Sequence, residues 1–144
     1  MRSLSAVLVI AVLSACGAPK DAAPPPPAGP TLADFAGTWE NTATLTGVAA
    51  PVASTMTGTA DTTGWTTTLQ GRASIPLHVS VVGDSLIAQT GEYESILRKG
   101  VMVTTRTAAV LKDGQLVGTV TAEYKTAKGM EKVAGTIEGK RAAK

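Results

Sequence analysis

The sequence predicts an all-β fold, a small antiparallel up-and-down β-barrel of about eight strands over residues 32–144, preceded by a signal peptide and a disordered Pro-rich tether. Three observations predict the barrel. From Leu32 onward apolar and polar residues alternate with a period of two rather than 3.6, as in a half-buried strand. Threonine, β-branched and suited to extended backbone, recurs from Thr38 to Thr136. Turn signals part the alternating runs about every 10 to 15 residues, with no helical period between them.

Residues 1–15 read as an export signal peptide. Arg2 supplies the positive n-region and Leu4 to Leu13 the apolar run, which is too short to span a bilayer, where a helix needs ~20 residues. The run ends in Leu13-Ser14-Ala15-Cys16: a branched apolar residue, two small ones and the chain's one cysteine. These four positions resemble a bacterial lipobox. The resemblance implies a diacylglycerol on the Cys16 thiol, cleavage before it and acylation of the new amine. One chain holds a protein at a membrane only marginally, at about 0.8 kcal/mol per buried methylene, so two or three on one residue make an anchor. The plainer alternative is an ordinary signal peptide with a cysteine beside its cleavage site. On either reading a lone cysteine cannot form an internal disulfide. Gly17 stands where Asp retains such proteins at the inner membrane of two-membrane bacteria. By the same resemblance, its presence implies the outer membrane, with the domain facing the periplasm.

Residues 16–31 are then the lipidated cysteine and a Pro/Ala-rich linker. Proline favours extended polyproline II at about 3.1 Å per residue, so this stretch reads as a semi-rigid spacer of roughly 40 Å. A proline-motif ligand is the alternative.

The strands follow in order. Gly37–Thr46 opens the meander and Ala53–Asp61 pairs back on it. Asp61-Thr62-Thr63-Gly64 turns into Trp65–Gln70. Pro76–Val82 comes next, then the tight turn Gly83-Asp84 and Ser85–Thr90. Met102–Leu111 ends at Lys112-Asp113-Gly114, a second hairpin turn. Gln115–Lys125 places Leu116, Gly118, Val120, Ala122 and Tyr124 on one face. After a turn around Ala127-Lys128-Gly129, Lys132–Arg141 points Val133, Gly135, Ile137 and Gly139 inward. Such a meander either closes or exposes two edges, and closure removes them. Glycines within strands (Gly58, Gly118, Gly135, Gly139) permit the bends of a small barrel. A barrel is therefore expected over a two-sheet sandwich.

The stretch ADFAGTWE, residues 33–40, carries a second resemblance. Gly37-Thr38-Trp39 entering a first strand is similar to the G-x-W signature of lipocalin-like (calycin) barrels. In that family the tryptophan closes one end and an arginine of the last strand packs across it. The resemblance implies barrel-closing roles for Gly37, Trp39 and Arg141, with Arg106 the second candidate for the arginine. An arginine suits that place because its guanidinium stacks on a ring while donating hydrogen bonds. The domain is shorter than a typical lipocalin and lacks an evident C-terminal helix; it is closer to the compact, streptavidin-sized barrels of that class. It also resembles small lipoproteins of environmental bacteria.

For chemistry the sequence offers little. The net charge is +2, or +1 once Arg2 leaves with the signal peptide, which gives no electrostatic footprint for nucleic acid. The lysines and Arg141 near the C-terminus alternate with acids and read as a solvated face. His78 is the sole histidine, and in PLHVSVV the alternation puts it outside. Without a second histidine or a free thiol, no metal site, no cofactor and no catalytic residue is predicted. Asp61, Asp84 and Asp113 occupy turns, and Glu92 and Glu94 flank Tyr93 with no cleft to tune them. An enzyme is not expected.

Residues 91–100, GEYESILRKG, depart from the alternation. Loops at the mouth of a small barrel carry specificity, so Tyr93 and Arg98 are the candidate ligand-binding residues. Alternatively Tyr93 and Ile96 plug the barrel end while the charges face water. The functional expectation is a membrane-anchored, non-enzymatic barrel that binds a small apolar ligand or another envelope component. The alternative is a structural or interaction module whose interior is filled. Eight strands are just wide enough for either.

Overall fold

The computed structural model describes residues 23–143. The signal peptide at 1–15 and Cys16 lie outside the described residues.

One helical turn precedes the strands: α1 (Leu32–Phe35), β1 (Gly37–Leu45), β2 (Val52–Gly58), β3 (Thr66–Leu69), β4 (Ile75–Val82), β5 (Ser85–Thr90), β6 (Tyr93–Glu94), β7 (Met102–Lys112), β8 (Gln115–Thr126) and β9 (Gly129–Arg141). β1 to β5 pair antiparallel in sequence, as do β7 to β9, and β1 pairs with β9 from Trp39↔Arg141 to Leu45↔Gly135. β5 runs along the C-terminal part of β7, down to Gln89↔Arg106, and β6 along its N-terminal part at Tyr93↔Val103. β5 and β6 are thus two halves of one stave, and the fold is a closed, up-and-down barrel of eight antiparallel staves. Between the halves Gly91 and Glu92 oppose Thr104 alone, an extra residue that bends the stave as bulges do. There the Thr90 hydroxyl accepts the Thr105 N–H at 2.8 Å, in place of a ladder carbonyl.

The period of two becomes an inside and an outside. In β1, Trp39, Asn41 and Leu45 are buried while Thr38, Glu40, Thr42 and Thr44 are exposed. Outward threonines meet across strands at Thr38↔Thr57, Thr55↔Thr68 and Thr44↔Thr136, pairs that stabilise a sheet while tolerating water. The β7–β8 turn has Asp113 and Gly114 both at positive φ, 51° and 75°. That is the type I′ geometry, whose twist matches the flanking strands.

Several local features differ from the sequence expectation. β2 ends at Gly58 rather than Asp61, because the Asp61 carboxylate accepts the Thr63 N–H at 2.7 Å and turns the chain. Tyr93–Glu94 form a strand within the stretch read as a connection. The β8–β9 turn needs only Ala127 and Lys128, so β9 begins at Gly129 rather than Lys132. Trp65 precedes β3 instead of opening it, because its indole N–H reaches back to the Asp61 carbonyl at 2.6 Å. α1 is too short to show a period; it is set by Asp34, whose carboxylate accepts the Thr31 N–H at 2.7 Å and hydroxyl at 2.9 Å, half of a capping box.

These elements give the barrel two unlike ends. At one, Phe35, Trp39, Trp65 and Leu86 are fully buried and pack with Met56, Leu77, Ala88, Ala109 and Leu116. The other end gathers Val103, Ala122 and Tyr124, with Tyr93, Val101 and Val133 against them. The interior between the two clusters is the site.

Candidate ligand cavity and barrel mouth

The closed end is built around Trp39. Its indole N–H donates to the Phe35 carbonyl at 2.8 Å. The Arg141 guanidinium lies over the ring at 4.3 Å and donates to the carbonyls of Ala36 (2.6 Å) and Asp34 (2.8 Å). One planar cation therefore ties the last strand, the first strand and α1 together. Gly37 turns at φ 120°, and a Cβ there would stand 2.8 Å from the Arg141 Nη1. Arg106 is exposed on β7.

Above this plug the barrel is hollow. A cavity of about 100 Å³ runs from Asn41, Met56 and Leu116 up to Tyr93, Leu97 and Tyr124. A water needs about 10–15 Å³ of such space, and an engineered cavity of about 150 Å³ holds benzene, so the room suits several waters or one small molecule. It arises because inward positions are small: Ala43, Ser54, Ala88, Ala109 and Ala122 line it. Among the described residues no Asp, Glu, Lys, Arg or His lines the cavity. Its polar groups are hydroxyls and one carboxamide.

The loop between β6 and β7 lies over the mouth. Its first residue, Ser95, is buried, and the Ser95 hydroxyl accepts the N–H groups of Leu97 (3.1 Å) and Arg98 (3.0 Å). Glu94 accepts the Gly100 N–H at 3.0 Å. The loop is thus held in a compact turn that sets Ile96 and Leu97 against the cavity, each still over a third exposed. Tyr93 lines the cavity, and burial pushes its phenol up from the usual range. Arg98 does not enter the cavity. Its guanidinium covers the Tyr124 ring at 4.2 Å and grips Glu131 through two hydrogen bonds of 2.7 Å. The two candidate residues therefore divide: Tyr93 is wall, and Arg98 is a latch outside it.

The latch has a sign with pH. Hydrogen bonds from Arg98 hold the Glu131 carboxyl below the usual carboxylate range. A carboxylate lowered in the folded state stabilises above its unfolded pKa, and that contribution disappears as pH falls through the folded value. Both partners are solvent-exposed, so the effect is local to the loop rather than global. Glu131→Gln should speed amide exchange at residues 97–101 at neutral pH and leave the closed end unchanged. Acidification below the ordinary carboxylate range should do the same to the wild type. Hydrogen–deuterium exchange reads both, and an unchanged loop would show that Arg98 latches nothing.

The remaining candidates stay apart. His78 is exposed on β4, Glu92 faces Lys125 at 3.6 Å across the surface, and among the described residues no three metal-ligating side chains cluster. Sequence reasoning overlooked Asn41. It is 6% exposed, and its Oδ1 has no hydrogen-bond partner among the described residues. The signal was present in GTWENTATL, where strict alternation places Asn41 on the face of Trp39. No protein family, curated protein or solved structure matches this chain.

Proposed function

We propose that this chain is an envelope-anchored lipoprotein whose lipocalin-like, non-enzymatic barrel takes up a small apolar molecule in its interior. The observation that carries the reading is the cavity. Protein interiors are close-packed, and leaving about 100 Å³ unfilled costs about 2 kcal/mol at roughly 24 cal/mol per Å³. A core selected for stability alone would place a leucine where Ala88 or Ala109 now stands. Alanines and one serine at inward positions of several staves keep the space open.

The anchor supplies an orientation. Residues 23–31 reach the barrel at its closed end, where Gly29 lies beside the β4–β5 turn at Gly83 and Asp84. A lipid at Cys16 would set that end toward the membrane and the mouth toward the periplasm, at the end of the Pro-rich spacer. Wild-type protein is expected in the detergent phase on partitioning, and Cys16→Ser in the aqueous phase. Equal partitioning would remove the anchor from this reading.

Native mass spectrometry of tagless protein tests the binding. A copurifying adduct, released on denaturation, is the expected result. A barrel that is empty in every preparation would leave the alternative, a structural or interaction module that presents Ile96 and Leu97 at its mouth.

A further inference from the structure

Among the described residues one fully buried side-chain polar atom has no hydrogen-bond partner, and it belongs to a residue that lines the cavity. The Ser95 hydroxyl is used by its own loop, and the hydroxyls of Thr90 and Thr105 lie 3.3 Å apart. Ser54 and Thr67 are half-buried hydroxyls, which rotate to suit water or a backbone carbonyl. Asn41 is different. It stands one layer above the Trp39 plug, between Ser54 on β2 and Gly139 on β9, and it lines the cavity floor. Its Oδ1 fills the notch left by the missing Cβ of Gly139, and no described residue donates to it. A buried acceptor left unpaired is destabilising, whereas leucine of similar shape would carry no such penalty. As it stands the oxygen faces Gly139 and not the lumen. The terminal torsion of asparagine is broad and two-fold, so turning the carboxamide over would bring the oxygen to the lumen and place Nδ2 against Gly139.

We infer that the cavity takes a small uncharged molecule, about one ring in size, apolar except for a single O–H or N–H that donates to Asn41 Oδ1. This rests on the reading of the barrel as a binder of apolar molecules and adds a polar end to the ligand. Three features fix the class. The absence of a charged lining residue among the described residues excludes a buried ion, which would lack a partner. The volume limits the buried part to about one ring. The orphan acceptor at the floor asks for a donor and places it deepest, with the apolar body toward Leu97 and the mouth.

Phenol and toluene test this, being alike in shape and differing in the donor. Both are titrated into the full chain while the methyl resonance of Met56, on the cavity wall, is followed by NMR. The exposed Met102 and Met130 serve as controls. Apolar transfer alone favours toluene, so tighter binding of phenol, by about tenfold, has to come from its hydroxyl. In Asn41→Leu the preference should reverse. Anisole, which accepts but cannot donate, should bind wild type no better than toluene. If toluene or anisole matches phenol on wild type while Met56 still shifts, the donor assignment is overturned and the apolar-binding reading stands. If no probe moves Met56, the binding reading itself fails. The wild-type comparison decides even if Asn41→Leu does not fold.

Discussion

Trp39→Ala should lower the free energy of unfolding by about 3–5 kcal/mol, the range for deleting a buried aromatic side chain. The upper end is expected because the indole does three things at once. It is fully buried at the base of the closed-end cluster. It supplies the N–H that satisfies the Phe35 carbonyl, and it is the surface on which Arg141 lies. Alanine leaves a cavity beneath one that is already present, orphans a buried carbonyl and strips the guanidinium of its ring. A domain of this size has about 5–15 kcal/mol in total, so the variant should sit near the edge of folding. In urea, with m near 2 kcal/mol/M, the midpoint should fall by about 2 M. Arg141→Lys keeps the charge but loses the planar stack and one of two hydrogen bonds, so it should cost about 1 kcal/mol. A Trp39→Ala midpoint within 0.5 M of wild type (about 1 kcal/mol) would show that something else holds the closed end.

How much of this was legible in the sequence depends on how local the cause is. β8 and the Asp113-Gly114 turn could be read directly, because alternation and a two-residue turn are properties of neighbours in the chain. Closure could only be argued from the need to remove edges, since β1 and β9 are remote in sequence and no pattern pairs Leu45 with Gly135. The two-part stave could not be foreseen. GEYESILRKG shows a break in alternation, but that the break is one bulge followed by renewed pairing with β7 depends on β7. Tyr93 and Arg98 were picked by position in that break, and the fold gives them different surroundings because Arg98 finds Tyr124 and Glu131 on other strands. Asn41 shows the opposite case. Its inward direction was readable from period alone, while its lack of a partner depends on the glycine that β9 places beside it.

Gly118→Ala should be nearly as damaging as Trp39→Ala, although it adds one methyl group. Gly118 stands on β8 opposite Ala109 of β7. A Cβ there would run into the Ala108 carbonyl oxygen and lie 2.6 Å from the Ala109 Cα and 2.8 Å from the Ala108 carbonyl carbon. All three are backbone atoms, so no side chain can rotate away, and relief requires β7 and β8 to part midway along their ladder. Gly118 is not at positive φ, so the cost is steric and not conformational. Overpacking usually costs 1–3 kcal/mol, and with backbone on both sides about 3 kcal/mol or more is expected, a fall in Tm of about 10 °C. Gly135→Ala should behave alike, since its Cβ would meet the Thr44 carbonyl on β1. Gly91 is the control: nothing lies within 4 Å of its Cβ position and its φ is not left-handed. Gly91→Ala should be neutral or stabilising by about 0.4–1 kcal/mol, through a less flexible unfolded chain. Thermal unfolding of the three variants side by side decides it. Equal Tm values for Gly118→Ala and Gly91→Ala would mean that the staves do not approach as closely as a barrel this narrow requires.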